Sequence, residues 1–300
     1  MRIPDNIRRC VVFLGYSDGK GGFTAAGTGF FVRHKKHGYL ITAQHIARAI
    51  GDDPFAIRVN KHDGNSDNIL IDPLEDKFRW FTTTDDPNVD LAIAPFDYDL
   101  SRMGCNNLFF PTEHFAVKAK REEWNIGVGD VCYAIGLFRL FAGTARNLPV
   151  VHTGNIALMP EDELIPVQDW LANKGSGKMR HVAAYLLEMQ NLKGLSGSPV
   201  FVRASVDFEG SPAFIGRMLN RDLLMIGLWQ SSWDAPPGEV MAIEHGESVR
   251  IPAGMGVVVP ADKILALLDI EELEDLRQRA DAAQEHHSAA AIDGQQEEGG

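Results

Sequence analysis

The chain has 300 residues, 45% of them hydrophobic and 23% charged, with a formal net charge of −12. That is enough to bury a sizeable core, as one large domain or two fused halves, and no apolar run approaches the ~18 residues a membrane helix needs. The acidic balance argues against a nucleic-acid partner. From position 271 onward nine acidic residues face only Arg277 and Arg279, so most of the net charge belongs to the C-terminal end. The apolar run from Cys10 to Gly15 is too short for the core of a secretory signal. Three cysteines, Cys10, Cys105 and Cys132, lie at no metal-like spacing and read as buried thiols of a reducing compartment. The expectation is a cytoplasmic protein with no metal and no cofactor.

In chain order, Arg8 to Tyr16 reads as a first strand and Ser17 to Gly22 as a turn. Thr24 to Val32 then resumes through Gly27-Thr28-Gly29-Phe30. A basic turn leads to the strand Gly38 to Ala43, and Gln44-His45-Ile46-Ala47 opens a short helical turn at its exit. His34, His37 and His62 fall in polar turns without such framing, and His286 and His287 in the tail. Further strands are predicted at Phe55 to Asn60 and Ile69 to Ile71. Asp90 stands at the head of the alternating segment Leu91 to Phe96. Taken alone, Asp90 would be a strand-start cap.

Leu100 to Glu123 lacks periodicity and reads as the connection between two halves. The second half has predicted strands at Val128 to Gly136, Leu148 to Thr153, Gly154 to Leu158, and His181 to Met189. Met159 to Lys178 looks inserted, with a helical turn at Val167 to Ala172. More strands follow at Val200 to Ala204, Ala213 to Gly216, Leu223 to Leu228 and Gly256 to Pro260. Ala261 to Arg279 is the only long helical pattern, and beyond it alanine, glutamine and acid read as a disordered tail, an interaction surface or a solvated spacer. The fold class is all-β.

The chemistry concentrates in Asn191-Leu192-Lys193-Gly194-Leu195-Ser196-Gly197-Ser198-Pro199, followed by the apolar run Val200 to Val202. A glycine two residues before a serine can turn its N–H toward a substrate carbonyl, and with the Ser196 N–H it would form an oxyanion hole. Upstream, an imidazole at His45 and a carboxylate at Asp90 complete the residue types of a nucleophilic triad. The intervals from histidine to acid and from acid to serine are 45 and 106 residues.

The order His45, Asp90, Ser196, with Gly27-Thr28-Gly29-Phe30, Ile41-Thr42-Ala43-Gln44-His45 and Gly194-Leu195-Ser196-Gly197-Ser198-Pro199, resembles the trypsin-like, chymotrypsin-fold serine peptidases over about residues 8 to 268. The resemblance implies two six-stranded antiparallel β-barrels, residues 1–118 carrying His45 and Asp90 and residues 119–262 carrying Ser196, with a helix and disordered acidic tail at 263–300. It implies an endopeptidase with His45 as base then acid, Asp90 orienting it, Ser196 as nucleophile, and Gly194 and Ser196 as oxyanion donors. The substrate is then a protein or peptide, and a catalytically silent binding module is the alternative. Leu195 replaces the aspartate that pairs with a freed N-terminus in digestive members, so the chain looks like the disulfide-free bacterial branch of HtrA-type enzymes and glutamyl endopeptidase. The family's substrate pocket falls on Gln190, Trp229, Gln230, Ser231 and Ser232, which carry no charge and imply small or uncharged side chains. Trp229 is either a narrowing wall or a core aromatic. The acidic helix and tail offer a surface for a protein partner.

Overall fold

Short apolar runs separated by Gly-, Asp- and Lys-rich turns cannot make helices, and they pair with their sequence neighbours instead. In the computed structural model, which describes residues 3–20, 22–83, 86, 88–168, 179–190, 194–203, 223–235 and 251–297, β1 (Val11–Ser17) pairs with β2 (Phe23–His34), and β2 with β3 (His37–Thr42). The turn between β2 and β3 places Lys35 and Lys36 at φ of 46° and 75°. Next come β4 (Phe55–Asn60), β5 (Ser66–Ile71), β6 (Phe81–Thr82), β7 (Ala92–Pro95) and β8 (Phe110–Pro111). They complete an eight-stranded sheet of order β5-β4-β1-β2-β3-β7-β6, with β8 pairing β2.

The expected first barrel is therefore corrected: among the described residues β5 and β6 are unjoined ends of this sheet. β6 offers only two residues to a ladder, and the aromatic cluster of Phe55, Phe78 and Trp80 packs there through side chains.

The second half does close. After β9 (Val131–Gly136) and β10 (Val150–Leu158), a separate hairpin of β11 (Ile165–Gln168) and β12 (Met179–Val182) precedes β13 (Tyr185–Glu188). With β14 (Pro199–Arg203), β15 (Leu224–Ala235) and β16 (Ile251–Pro260) the barrel order is β10-β13-β16-β15-β14-β9. Leu148–Thr153 and Gly154–Leu158, predicted as two strands, are one. The helical turn predicted at Val167–Ala172 is corrected where it is described, since Val167 and Gln168 pair with Arg180 and Met179. The rest of it, and the predicted strand Ala213–Gly216, lie outside the described residues. One core runs through both halves: Phe13, Phe30 and Ile41 belong to the same buried cluster as Tyr133, Phe201, Leu228 and Val259.

The C-terminal pattern is two helices, Ala261–Leu268 and Glu271–Glu297, so the predicted disordered tail is corrected to helix through Glu297. Its Ala, Glu and Gln are strong helix formers, and the first turns are anchored to the sheet. Leu273 is fully buried, which contributes ~2 kcal/mol. The buried Arg277 donates to Tyr39 Oη and Leu268 O, each at 2.8 Å, and to Glu274 at 2.6 Å. Lys35 reaches Asp269 and Glu274, and His37 bonds Asp281. His34 is buried between Thr112 and Asp269, not placed in a solvated turn.

Hydrogen bonds from Arg277 and then Lys35 hold the Glu274 carboxyl down at about 2, from an ordinary 4.5. A carboxylate depressed in the folded state stabilises above its unfolded pKa and loses that contribution as pH falls toward the folded one. Amide exchange in residues 271–285 is therefore expected to accelerate relative to the barrel as pH drops from about 4.5 toward 2, and less so in Glu274→Gln. Equal acceleration in both chains would contradict this anchoring.

Candidate active site

β3 ends at Thr42, Ala43 is extended, and a helix, α2, covers Gln44–Ile50 (a first short helix, α1, spans Asp5–Arg8). β7 pairs with β3 through Thr42 and Ala92, which carries Asp90, two residues earlier, alongside the start of α2. Asp90 Oδ1 accepts the His45 backbone N–H at 2.8 Å, and Oδ2 lies 2.7 Å from His45 Nδ1. One carboxylate thus caps the helix and fixes the tautomer of the ring, because a carboxylate accepts and Nδ1 must then carry the proton and donate it. Nε2 is left with its lone pair. The Asp90 side chain is 4% exposed and that of His45 28%, so the charge is shielded while the ring reaches solvent.

The serine turn is built just before β14. Ser198 N–H bonds Leu195 O at 2.8 Å, and the turn is stitched to β15 by Gly197 N–H to Trp229 O and Trp229 N–H to Ser198 O. Leu195, in place of an ionic anchor, is buried in the barrel core. Gly194 has φ of 113° and Gly197 of 85°, angles that a side chain would strain. Among the described residues neither the Gly194 N–H nor the Ser196 N–H donates to an acceptor.

A Cβ at Gly197 would come within 2.1 Å of Thr28 O, 2.5 Å of Thr42 Oγ1 and 3.2 Å of Ala43 N. Only glycine lets the turn lie this close to β2, β3 and the residue before α2. Thr28 N–H also bonds Ser196 O at 3.2 Å. Gly197, the residue after Ser196, thus packs on Ala43, two residues before His45, from opposite halves of the chain. No hydrogen bond joins Ser196 Oγ to His45 Nε2 in the free protein, and such bonds tighten when substrate binds.

The remaining predicted site residues divide. Gln190 is exposed just beyond β13, and Ser231 and Ser232 are half-buried on β15, where Ser232 pairs with Gly256. Gln230 is buried, and its Nε2 has no partner among the described residues. Of the two readings of Trp229 the structure shows the core aromatic, so it is not a free pocket wall: it is 1% exposed, and a Cβ at Gly256 would stand 2.1 Å from its ring. Asn191, Leu192 and Lys193 lie outside the described residues.

Sequence reasoning missed Thr28, whose signal was a hydroxyl residue flanked by glycines in a strand. It also missed Arg58, which donates from β4 to Gly143 O at 2.9 Å and Thr144 O at 2.7 Å, tying the β9–β10 loop to the first sheet. Among the described residues no group of three or more His, Cys, Asp or Glu could hold a metal, and no helix is long and apolar enough to cross a membrane.

No protein-family model and no curated protein matches the chain. Among solved structures it is similar to the Rv3671c protease in its inactive form, at 16% identity over 87% of this chain and 88% of that one, with a TM-score of 0.40. The active form of the Rv3671c protease from M. tuberculosis is 14% identical over 89% of this chain and 90% of that one, with a TM-score of 0.45. A serine-to-alanine mutant of Rv3671c from M. tuberculosis H37Rv, in the inactive form, is 16% identical over 87% and 85%, with a TM-score of 0.39.

Proposed function

We propose that this chain is a serine endopeptidase of the trypsin-like kind, cleaving peptide bonds through an acyl-enzyme on Ser196. The observation that carries the proposal is the two-point grip of Asp90 on His45, together with a glycine-framed serine turn that packs on Ala43 and whose Gly194 and Ser196 N–H groups meet no acceptor among the described residues. His45 Nε2 takes the proton of Ser196 Oγ as that oxygen attacks the scissile carbonyl. The imidazolium so formed is stabilised by buried Asp90, and the developing oxyanion by the Gly194 and Ser196 N–H groups. His45 then protonates the leaving amine, and water repeats the sequence on the acyl-enzyme. The free, buried cysteines and buried Leu195 support a branch that uses neither disulfides nor an ionic activation switch.

The side chain before the scissile bond would be received near Gln190, Ser231 and Ser232. No carboxylate or imidazole stands among these residues. A peptide library incubated with the protein is therefore expected to be cut after small or uncharged residues. Cleavage dominated by Arg, Lys or Glu would overturn that specificity, and absence of cleavage across the library would count against the endopeptidase itself.

A further inference from the structure

Thr28 lies in the middle of β2, fully buried, where a valine would fill the same space. Its hydroxyl nonetheless makes two bonds: Oγ1 donates to Gly194 O at 2.9 Å and accepts the Leu137 N–H at 2.9 Å. A hydroxyl has one proton to give, so each bond sets the direction of the other. Its backbone makes two more, N–H to Ser196 O at 3.2 Å and O from Thr42 Oγ1 at 2.7 Å. The four bonds join the serine turn, the start of the β9–β10 loop and the strand that leads to His45.

The surroundings permit little slack. A Cβ at Gly136 would stand 3.0 Å from Thr28 Oγ1, and one at Gly197 2.1 Å from Thr28 O. A Cβ at Gly194 would stand 2.7 Å from Leu137 O, so the residue whose N–H Thr28 holds is itself packed against the oxyanion turn.

We propose that Thr28 is the positioning residue of the oxyanion hole: its hydroxyl pins the Gly194 carbonyl and its N–H the Ser196 carbonyl. Fixing these two carbonyls holds the Gly194–Gly197 backbone, and with it the unpaired N–H groups of Gly194 and Ser196. Thr28 touches no reacting atom, and it works through the turn it holds. The inference rests on the endopeptidase proposal and adds to it a first-half residue that sets the geometry of a second-half site.

The test compares wild type, Thr28→Val, Thr28→Ala and Thr28→Ser by melting temperature, steady-state kinetics on one cleaved peptide, and affinity for phenylboronic acid, whose serine adduct carries a tetrahedral anionic oxygen. Misplacing a site by about 1 Å costs on the order of 10²-fold. The valine and alanine variants are expected to lose about that factor in kcat and in boronate affinity with KM little changed, while the serine variant stays near wild type. A loss confined to melting temperature, with kcat and boronate affinity kept, would overturn the positioning role. Wild type that cleaves no peptide and binds no boronate would overturn the endopeptidase proposal and this inference with it.

Discussion

Replacing Ser196 with alanine is expected to lower kcat by about 10⁶-fold while leaving the fold and peptide binding intact. Ser196 is half-buried at a turn whose neighbours Leu195, Gly197 and Ser198 are buried, so removing one oxygen disturbs no packing. It does remove the nucleophilic oxygen on which the proposed acyl-enzyme would form. Residual hydrolysis would come from the oxyanion donors and from binding, which the substitution keeps. Steady-state kinetics with a library-selected peptide, alongside an unchanged melting curve, reads the outcome. A variant within ten-fold of wild type would mean that another nucleophile does the chemistry.

The second large effect is expected at Asp90. In Asp90→Asn, the side-chain carbonyl can still accept the His45 backbone N–H, so the helix stays capped. The amide NH₂ then faces Nδ1, where the carboxylate accepted at 2.7 Å. A donor there favours the tautomer with its proton on Nε2, which cannot take a proton from Ser196. The charge opposing the imidazolium is lost as well. A drop of about 10⁴ in kcat is expected, with folding retained. Activity close to wild type would show that the His45 ring is held by something other than Asp90.

Much of the site was legible because its requirements are local. The turn around Ser196 needs glycines at Gly194 and Gly197, and both take the positive φ that explains them. His45 opens a helix directly after a strand, and Asp90 precedes the strand that pairs with it. Phe55–Asn60 alternated clearly enough that its bounds were read from sequence alone.

What escaped depends on distant partners. The hydroxyl of Thr28 finds Gly194 and Leu137, more than a hundred positions away. The part of the long helix beyond Arg279 read as a disordered tail because the apolar face stops at Leu276. Its anchor is a buried arginine, Arg277, whose partner Tyr39 lies on β3. Closure of the first barrel failed for a related reason. Alternation shows that a strand exists, whereas the pairing of sheet ends depends on how long each strand runs, and β6 runs only two residues.

Labelling by a fluorophosphonate probe tests the central claim most directly, because it reports an activated serine without requiring the natural substrate. Wild type is expected to be labelled at Ser196, with labelling abolished in Ser196→Ala and nearly so in His45→Ala. Folded wild type left unlabelled, or label found equally in both variants, would contradict an assembled triad of His45, Asp90 and Ser196.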